Sequence, residues 1–208
     1  MPIAQVQKVI DDTNSATTIT VTLAAPPTDG NLLVLMFITS SGSGEPIGLG
    51  SWSLAASQSS GGGLNEIRLY YKVAASDAAA LTVTFEVATR CVAAVAEYSG
   101  MASTNLLDQT GSAIDTGTPT SLLVSAAGAT SLADELLICM VGHYGNVQGP
   151  TWTDSFTAQG DRQTGTGQTH IDLQWADRIV AATGTYSTTA GWTTGRPSRG
   201  LIATFRAT

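Results

Sequence analysis

An internal repeat constrains the fold of this chain more than any other feature of its sequence. The run NLLVLM resembles ELLICM, EIRLYYKVA resembles HIDLQWADR, and AAVAEYS resembles GLIATFR. The offset is 104 residues between Leu32 and Leu136, and again between Ile67 and Ile171. A constant offset over several segments indicates two copies of one supersecondary unit, and neither copy can bury its apolar face alone.

The repeated segments have the hydrophobic patterns of β-strands. In TTITVTL, which ends at Leu23, apolar residues alternate with threonines, and LTVTFEV follows the same period of two. The runs Leu32–Phe37 and Leu136–Val141 are continuously apolar, which is typical of central strands covered on both faces. Only SDAAA and SLADE could form single helical turns, and the 22 glycines fall mostly between the strand-like runs. The sequence therefore predicts an all-β fold.

Two related sets of strands are expected to pack face to face as one β-sandwich. We predict a single domain over residues 1–208, with repeat halves at about 18–99 and 121–206. Residues 100–120 are rich in turn-forming residues, and we predict that they link the halves.

The low charge of the chain excludes several classes of partner. Charged residues make up 12% of the sequence, against roughly 25% in an average globular domain. The net charge is −7, and the nine basic residues form no cluster. Because phosphate contacts dominate nucleic-acid affinity, we expect no nucleic-acid partner, and for the same reason no anionic membrane surface.

The sequence indicates neither secretion nor membrane insertion. Its beginning, MPIAQVQKVIDDTNS, has no basic segment followed by an apolar one, so it does not resemble a secretory signal peptide. The longest apolar runs, LLVLMFI and LLICMV, are too short to span a bilayer. Cys91 and Cys139 lie in apolar strand-like runs and are predicted to be buried, reduced thiols.

No sequence motif predicts catalysis or a bound cofactor. The chain has no G-x-S-x-G elbow, phosphate-binding loop or dinucleotide fingerprint. Glu45, Glu66, Glu86 and Glu97 could in principle supply the acid pair of a glycosidase. However, Glu86 and Glu97 alternate with apolar neighbours, so we predict that both face solvent. We therefore expect no catalytic residues and no enzyme activity.

Metal binding is also weakly supported by the residue spacing. His143, His170 and Asp172 could meet on neighbouring strands, but two histidines match no strong zinc pattern, and rim histidines are the simpler interpretation. Calcium could bind turn carboxylates, although no EF-hand spacing is present. The candidate acids are Asp11, Asp12, Asp108, Asp115, Asp154 and Asp161. Solvated carboxylates without a metal are our default expectation.

Two segments are candidates for an interface. Trp192, Arg196 and Arg199 lie in the loop-like sequence GWTTGRPSRG, and aromatic and arginine residues are enriched at binding hot spots. For Trp192, packing in the core is an equally good interpretation. The segment Ile3–Ile10, in which Ile3 and Val6 are apolar, precedes the predicted repeat and could add to a neighbour's sheet as a strand. Because few charges are available to protect the strand edges, we predict a homo-oligomer.

The order of the motifs resembles that of a known group of domains. In sequence, the motifs are DGNLLV, LYYKVA, LTVTFEV, AEYSG, NLLDQ, DELLI, TWTD and ADRIVAATGTYS. This order resembles a family of jelly-roll-like β-sandwich domains found in tailed-phage virion proteins and in bacterial surface proteins of unassigned function. The resemblance extends from about Thr18 to Phe205 and concerns core and turn residues, so it implies a fold and a virion or surface role but no catalytic residues.

From these observations we predict a non-enzymatic structural protein of a phage virion, such as a capsid decoration or cement protein. It would be made in the host cytoplasm, located in the virion, and bound to other virion proteins such as a capsid lattice. The alternative is a receptor- or glycan-binding module at a tail tip or on a cell surface, favoured if aromatic side chains cluster on the Gly-rich loops. A polysaccharide-degrading enzyme would need two close carboxylates in a deep cleft.

Overall fold

The computed structural model describes residues 2–40, 46–59, 66–145, 147, 149–165 and 169–208, and these residues form an all-β fold. The described residues contain antiparallel sheets and no helix, so the all-β prediction is confirmed. The resemblance to a jelly roll in particular stays a prediction. No helix in this part of the chain is long and apolar enough to cross a membrane.

In the first half, the residues that the structure describes form five strands, which pair in the spatial order β1-β5-β2-β4-β3 and make up the first sheet. They are β1 (Ala4–Thr22), β2 (Leu32–Thr39), β3 (Ser53–Ser59), β4 (Glu66–Val73) and β5 (Ala80–Ser99).

The described residues of the second half form eight strands. They are β6 (Leu107–Asp115), β7 (Ser121–Ser125), β8 (Asp134–Tyr144), β9 (Thr151–Trp152), β10 (Thr157–Gln163), β11 (Ile171–Ala181), β12 (Ser187–Gly191) and β13 (Ser198–Arg206). Five of them form the second sheet, in the order β10-β11-β8-β13-β6, and the other three form a small sheet, β7-β12-β9.

The two five-stranded sheets have the same topology. Read from the first strand of each half, β1-β5-β2-β4-β3 corresponds to β6-β13-β8-β11-β10. Even an irregularity is repeated, because β3 has a bulge between Leu54 and Ala56 and β10 has one between Ala158 and Gly160. Bulges are specific local features of a strand pair, so this coincidence supports a duplicated unit.

The strand pairing corrects the predicted match between Ile67 and Ile171 by two residues. Ile38 pairs with Ile67, and the residue that matches Ile38 in the second half, Gly142, pairs with Leu173. The structural equivalent of Ile67 is therefore Leu173 and not Ile171. Because side chains alternate along a strand, a shift of two residues keeps the same face, which explains why the sequence pattern looked consistent.

Each large sheet is buried on both faces, as the continuously apolar strands predicted. One face of each sheet contributes to the core between the two sheets, where Leu32, Met36, Leu136 and Met140 are fully buried. The opposite, outer face of the first sheet packs against the far ends of β1 and β5, and that of the second sheet packs against the small sheet. The small sheet corresponds to those far ends, so each half has a core of its own in addition to the shared one.

Contacts across the shared core are reciprocal. The ring of Tyr71 on β4 lies 5.5 Å from that of Phe205 on β13, and Tyr98 on β5 donates a hydrogen bond of 2.6 Å to Asp177 on β11. The pairing registers make Tyr71 equivalent to Asp177 and Tyr98 equivalent to Phe205. Each half therefore presents the same surface to the other, as in a two-fold symmetric dimer.

The predicted boundaries of the halves need correction. Residues 100–120 are not simply a linker, because they contain β6, which pairs with β13 as an edge strand of the second sheet. The first half begins at Ala4 and not near residue 18, because β1 pairs with β5 from Ala4 to Thr22. The strand β6 was missed because mixed polar sequence on a half-exposed edge strand carries little apolar periodicity. The segment Ile3–Ile10 was predicted to be able to form a strand, but it was placed outside the first half for the same reason.

Both cysteines are fully buried and unbonded, which confirms the predicted core thiols. Cys91 lies on β5 and Cys139 on β8, on the outer faces of different sheets. Burial raises the pKa of both thiols.

Candidate functional site

The structure does not bring the predicted interface residues together on the surface. Trp192 is 5% exposed, donates from Nε1 to the carbonyl of Pro119 at 2.9 Å, and packs edge-on against His143 with ring centroids 4.2 Å apart. Its prediction as an exposed contact residue is wrong, because the loop-like sequence around it covers the core under the small sheet. Arg199 is also buried, and Arg196 is half-buried beside Gly145.

The amino-terminal residues belong to the first sheet. Ile3 is half-buried against the shared core, whereas Val6 on β1 is 49% exposed. The predicted docking segment is thus the start of an edge strand that is already paired with β5 on one side. The segment is therefore not a free arm that could leave the domain and add as a strand to a neighbour's sheet.

One lateral side of the sandwich is protected by charges. There β10 packs against β1, and Arg162 bonds through Nε to Oδ1 of Asp12 at 2.6 Å and through Nη2 to Oδ1 of Asp11 at 3.2 Å. Lys8 on β1 donates to the side-chain oxygen of Gln159 on β10. Charged side chains on edge strands oppose pairing with other chains, so we call this the charged side.

The opposite lateral side, where β3 packs against β6, lacks this protection, and we call it the neutral side. The sequence of β3, SLAASQS, has no charged residue and no proline, and Leu54 is 47% exposed. On β6, Ile114 is 42% exposed and the only charges, Asp108 and Asp115, lie near the two ends. The neutral side is therefore the less protected edge of the molecule.

A shallow groove opens beside the neutral side. Its volume is about 690 Å³, and its lining includes Ser51, Ser53, Tyr71, Lys72 and Asn105. The ammonium group of Lys72 is held by Asp77 at 2.7 Å and by Ser51 at 3.0 Å. The groove therefore offers hydroxyl and amide groups and one neutralised cation, beside an uncharged strand edge.

Several acids that were candidates for calcium are bound by arginine. Asp11 and Asp12 contact Arg162, and Asp108 accepts from Nη2 of Arg206 at 2.6 Å. Within the described ranges, no group of three or more His, Cys, Asp or Glu side chains is placed to hold a metal ion.

The glutamates considered as a catalytic pair have other roles. Glu97 is fully buried, and its carboxylate accepts from the Thr28 amide at 2.9 Å, Asn31 at 2.5 Å and Gln7 at 2.6 Å. The prediction that it faces solvent was wrong, because the segment between β1 and β2 folds over it. Glu66 pairs with Arg68 at 2.7 Å, Glu86 is exposed, and Glu45 lies outside the described residues.

A buried group of polar side chains on the outer face of the second sheet was not expected from the sequence. His143, Asp172 and Gln174 are fully buried, and none of their side-chain nitrogen and oxygen atoms makes a well-aligned hydrogen bond. Their polar groups interact only with one another and with Asp161. In the register, Asp172 pairs with His143, and Gln174 pairs with Asp161 at the surface. We call these four residues the polar cluster. His143 was predicted to be a rim histidine, and its burial corrects that prediction.

Burial also changes the charge states in the polar cluster. It lowers the pKa of His143 to about 3, which keeps the imidazole neutral. Burial, and secondarily the nearby carboxyl group of Asp161, raise the pKa of Asp172 to about 9. The pKa of Asp161 is also raised, by burial of its carboxyl group. At neutral pH the cluster therefore retains a proton on Asp172.

Comparison with models of known protein families, with curated proteins and with solved structures finds no match to this chain.

Proposed function

We propose that this chain is a non-enzymatic structural protein of a phage virion, such as a capsid decoration protein, and that it assembles through the neutral side of its sandwich. The observation that carries this proposal is the contrast between the two lateral sides. Ion pairs protect the charged side, whereas β3 presents an uncharged edge with Leu54 exposed. Uncharged edge strands favour pairing with another chain.

The motif order in the sequence supports the virion assignment, and the burial of the central strands supports a structural role. The central strands of both large sheets are buried on both faces, which is typical of a scaffold. The groove beside β3 extends the surface available to a partner. A specific contact of this kind buries about 1,000 Å² or more, and the neutral side together with the groove offers the place for it.

Matched substitutions on the two sides test the assembly surface. Leu54→Lys places a charge on the neutral side, and Ala158→Lys places one at the equivalent position of β10; both residues are exposed. We expect Leu54→Lys to abolish self-association or particle binding in sedimentation experiments and Ala158→Lys to leave both unchanged. Equal effects of the two substitutions would contradict the assembly surface.

The virion assignment is tested separately, by mass spectrometry of phage particles purified from the cells that make the protein. We expect a high and regular copy number in intact particles, visible by electron microscopy as repeated density on the capsid. Presence of the protein in the lysate but not in the particles would overturn the proposal.

A further inference from the structure

The internal repeat provides a reference for the polar cluster, because each of its positions has an equivalent in the first half. The registers make Asp172 equivalent to Glu66 and Gln174 equivalent to Arg68. In the first half, Glu66 forms an ion pair with the guanidinium group of Arg68 at 2.7 Å, and that arginine is almost fully buried. The second half keeps the carboxyl group but has an amide where the arginine would be.

The second half also has an additional carboxyl group at this place. Asp161 pairs with Gln174 just as Ser57 pairs with Arg68, so a serine in the first half corresponds to an aspartate in the second. The nearest cation on the same strand, Arg162, points to the other face of β10 and is bound to Asp11 and Asp12. Two carboxyl groups therefore meet at a position where the first half holds a carboxylate and a guanidinium.

The unpartnered atoms of the cluster are acceptors and amide groups that a ligand could bind. Both carboxyl oxygens of Asp172 and both amide atoms of Gln174 are fully buried without a well-aligned hydrogen bond, and they interact only with other members of the cluster. Buried polar groups that have lost their hydrogen bonds to water are rarely left without a partner, because nothing then compensates for their desolvation. The side chains of Asp161, Gln174 and Asp172 lie on one face, because directly paired residues of antiparallel strands share a face.

A surface pocket of about 260 Å³ lies over this face. It is lined by Val147, Gly149, Asp161, Arg162 and Gln163, and the buried Oε1 atom of Gln163 is also without a partner. Gln163 is the strand neighbour of Asp172. The pocket thus leads from the surface to Asp161 and Gln163, directly beside the buried part of the cluster.

We propose that the polar cluster binds the guanidinium group of an arginine side chain supplied by a partner protein. A guanidinium group carries five donors in a plane and no acceptor, which matches the carboxyl and amide oxygens of Asp161, Asp172 and Gln174. The incoming arginine would take the place that Arg68 occupies in the first half. This inference goes beyond the proposed function, since it does not require the partner to be a capsid protein.

Binding can be measured with a small probe. We expect N-acetylarginine amide to shift the amide resonances of β10 and β11 in NMR titrations of the full chain, and N-acetylcitrulline amide, which is neutral and similar in shape, to shift none. Asp161→Asn and Asp172→Asn should each weaken binding at least about tenfold. Asp134→Asn, an exposed acid outside the cluster, should leave binding unchanged. Equal binding of the two probes, or unchanged affinity of both cluster variants, would overturn the proposal.

A substitution that restores the residue type of the first half gives a second test. Gln174→Arg should place an internal guanidinium group beside Asp172, abolish binding of the arginine probe and raise the melting temperature. A folded Gln174→Arg protein that binds the probe as the natural chain does would contradict the inference. If this variant does not fold, the two asparagine variants still decide the question. Both experiments use the isolated protein, so their failure would leave the proposed assembly role standing.

Discussion

The outer face of the first sheet holds an ion pair with a buried arginine, whereas the matching face of the second sheet buries a carboxyl, an amide and an imidazole group without a cation and without well-aligned hydrogen bonds. Glu66 and Arg68 neutralise each other, and their equivalents are Asp172 and Gln174. The backbone pairing around both places is the same. The difference teaches that shared apolar positions preserve the fold of the two halves, while their buried polar positions have diverged.

A second pair of equivalent positions also differs in its buried polar residues, but here the carboxyl group lies on a different strand in each half. In the first half, Glu97 on β5 accepts from Asn31, which precedes β2. The registers make Glu97 equivalent to Thr204 and Asn31 equivalent to Glu135, so the buried carboxyl group changes strands between the halves. Glu135 retains an unpartnered Oε2 atom, and burial raises its pKa. The buried polar groups of the second half thus again have fewer hydrogen-bond partners than those of the first half.

The largest expected effect concerns a pair of core residues whose sizes compensate. Ala56 pairs with Leu69 in the first half, and Gly160 pairs with Trp175 in the second. A Cβ atom on Gly160 would lie 2.5 Å from Nε1 of Trp175, so the glycine makes room for the indole ring. Trp175→Leu should reduce the free energy of unfolding by about 2–4 kcal/mol, because it leaves a cavity in the shared core. Chemical denaturation measures this loss.

A double-mutant cycle shows whether the two sizes are coupled. Gly160→Ala alone should destabilise the protein by about 1–3 kcal/mol through overpacking, but should partly restore the stability of Trp175→Leu. The double mutant then has the same residue types as the first half. Additive losses in the two single mutants would show that Gly160 and Trp175 are independent.

The next effect is a pH dependence between pH 6 and pH 8, to which Asp172 of the second half should contribute most. Because the pKa of Asp172 is raised to about 9, the folded protein keeps this proton while the unfolded chain releases it above pH 4 or so. Stability should therefore fall as the pH rises from 6 to 8, below the range in which the cysteines of the unfolded chain ionise. Asp172→Asn should remove this fall and raise the free energy of unfolding by about 2–3 kcal/mol at pH 8. His143, whose pKa is lowered to about 3, stays neutral throughout.

The matched substitution in the first half should have the opposite sign. Glu66→Gln removes one of the partners of the buried Arg68 guanidinium group. Burial raises the pKa of Glu66, which offsets part of the ion pair, so the loss of stability should be only about 1 kcal/mol. Urea unfolding of both variants between pH 6 and pH 8 provides the measurement. A stabilising Glu66→Gln, or an Asp172→Asn protein with the pH dependence of the natural chain, would contradict the assigned difference.

The repeat and the strand patterns made much of the fold predictable from the sequence. Apolar residues alternate at Ile19 and Val21, where one face of the strand is buried. They are continuous over Leu32–Phe37, where both faces are buried, so the hydrophobic pattern of the sequence indicates the burial of each strand directly. The edge strand β6 escaped prediction, and the start of β1 was predicted as a separate docking strand and not as part of the first sheet, since edge strands are stabilised by backbone pairing more than by apolar side chains. The sequence also could not distinguish a match at Ile171 from one at Leu173, because both keep the same face.

The candidate sites were much less predictable than the fold. Trp192 is of a residue type that is common at interfaces, and it lies in loop-like sequence. It is nevertheless buried, because it is covered by a small sheet whose three strands are far apart in sequence. The polar cluster combines residues of β8, β10 and β11, and its unusual feature, the lack of partners, exists only in three dimensions. The one available signal was the comparison of Arg68 with Gln174, and it required the correct register.

A smaller effect is expected from the hydrogen bond that replaces an aromatic contact across the shared core. Tyr98→Phe removes the donor to Asp177 and should cost about 1–2 kcal/mol, because the hydroxyl group is buried and its acceptor is a carboxylate. Tyr71→Phe is the matched control, since the Tyr71 ring packs on Phe205 and its hydroxyl has no hydrogen bond within the described residues. Thermal unfolding should separate the two variants; equal losses would show that the hydroxyl of Tyr98 contributes nothing specific.

The smallest expected effect concerns the ion pairs of the charged side. Arg162 is equivalent to Gln58 on the neutral side, so Arg162→Gln gives the two edge strands the same residue at this position. The guanidinium group is about half exposed, and surface ion pairs contribute only about 0.2–1 kcal/mol, so the loss of stability should be of that size at low salt. In 1 M salt, where the Debye length is about 3 Å, the variant and the natural chain should unfold alike. A loss that persists in high salt would show that Arg162 stabilises the sandwich by packing against β1, and that the two sides differ in more than charge.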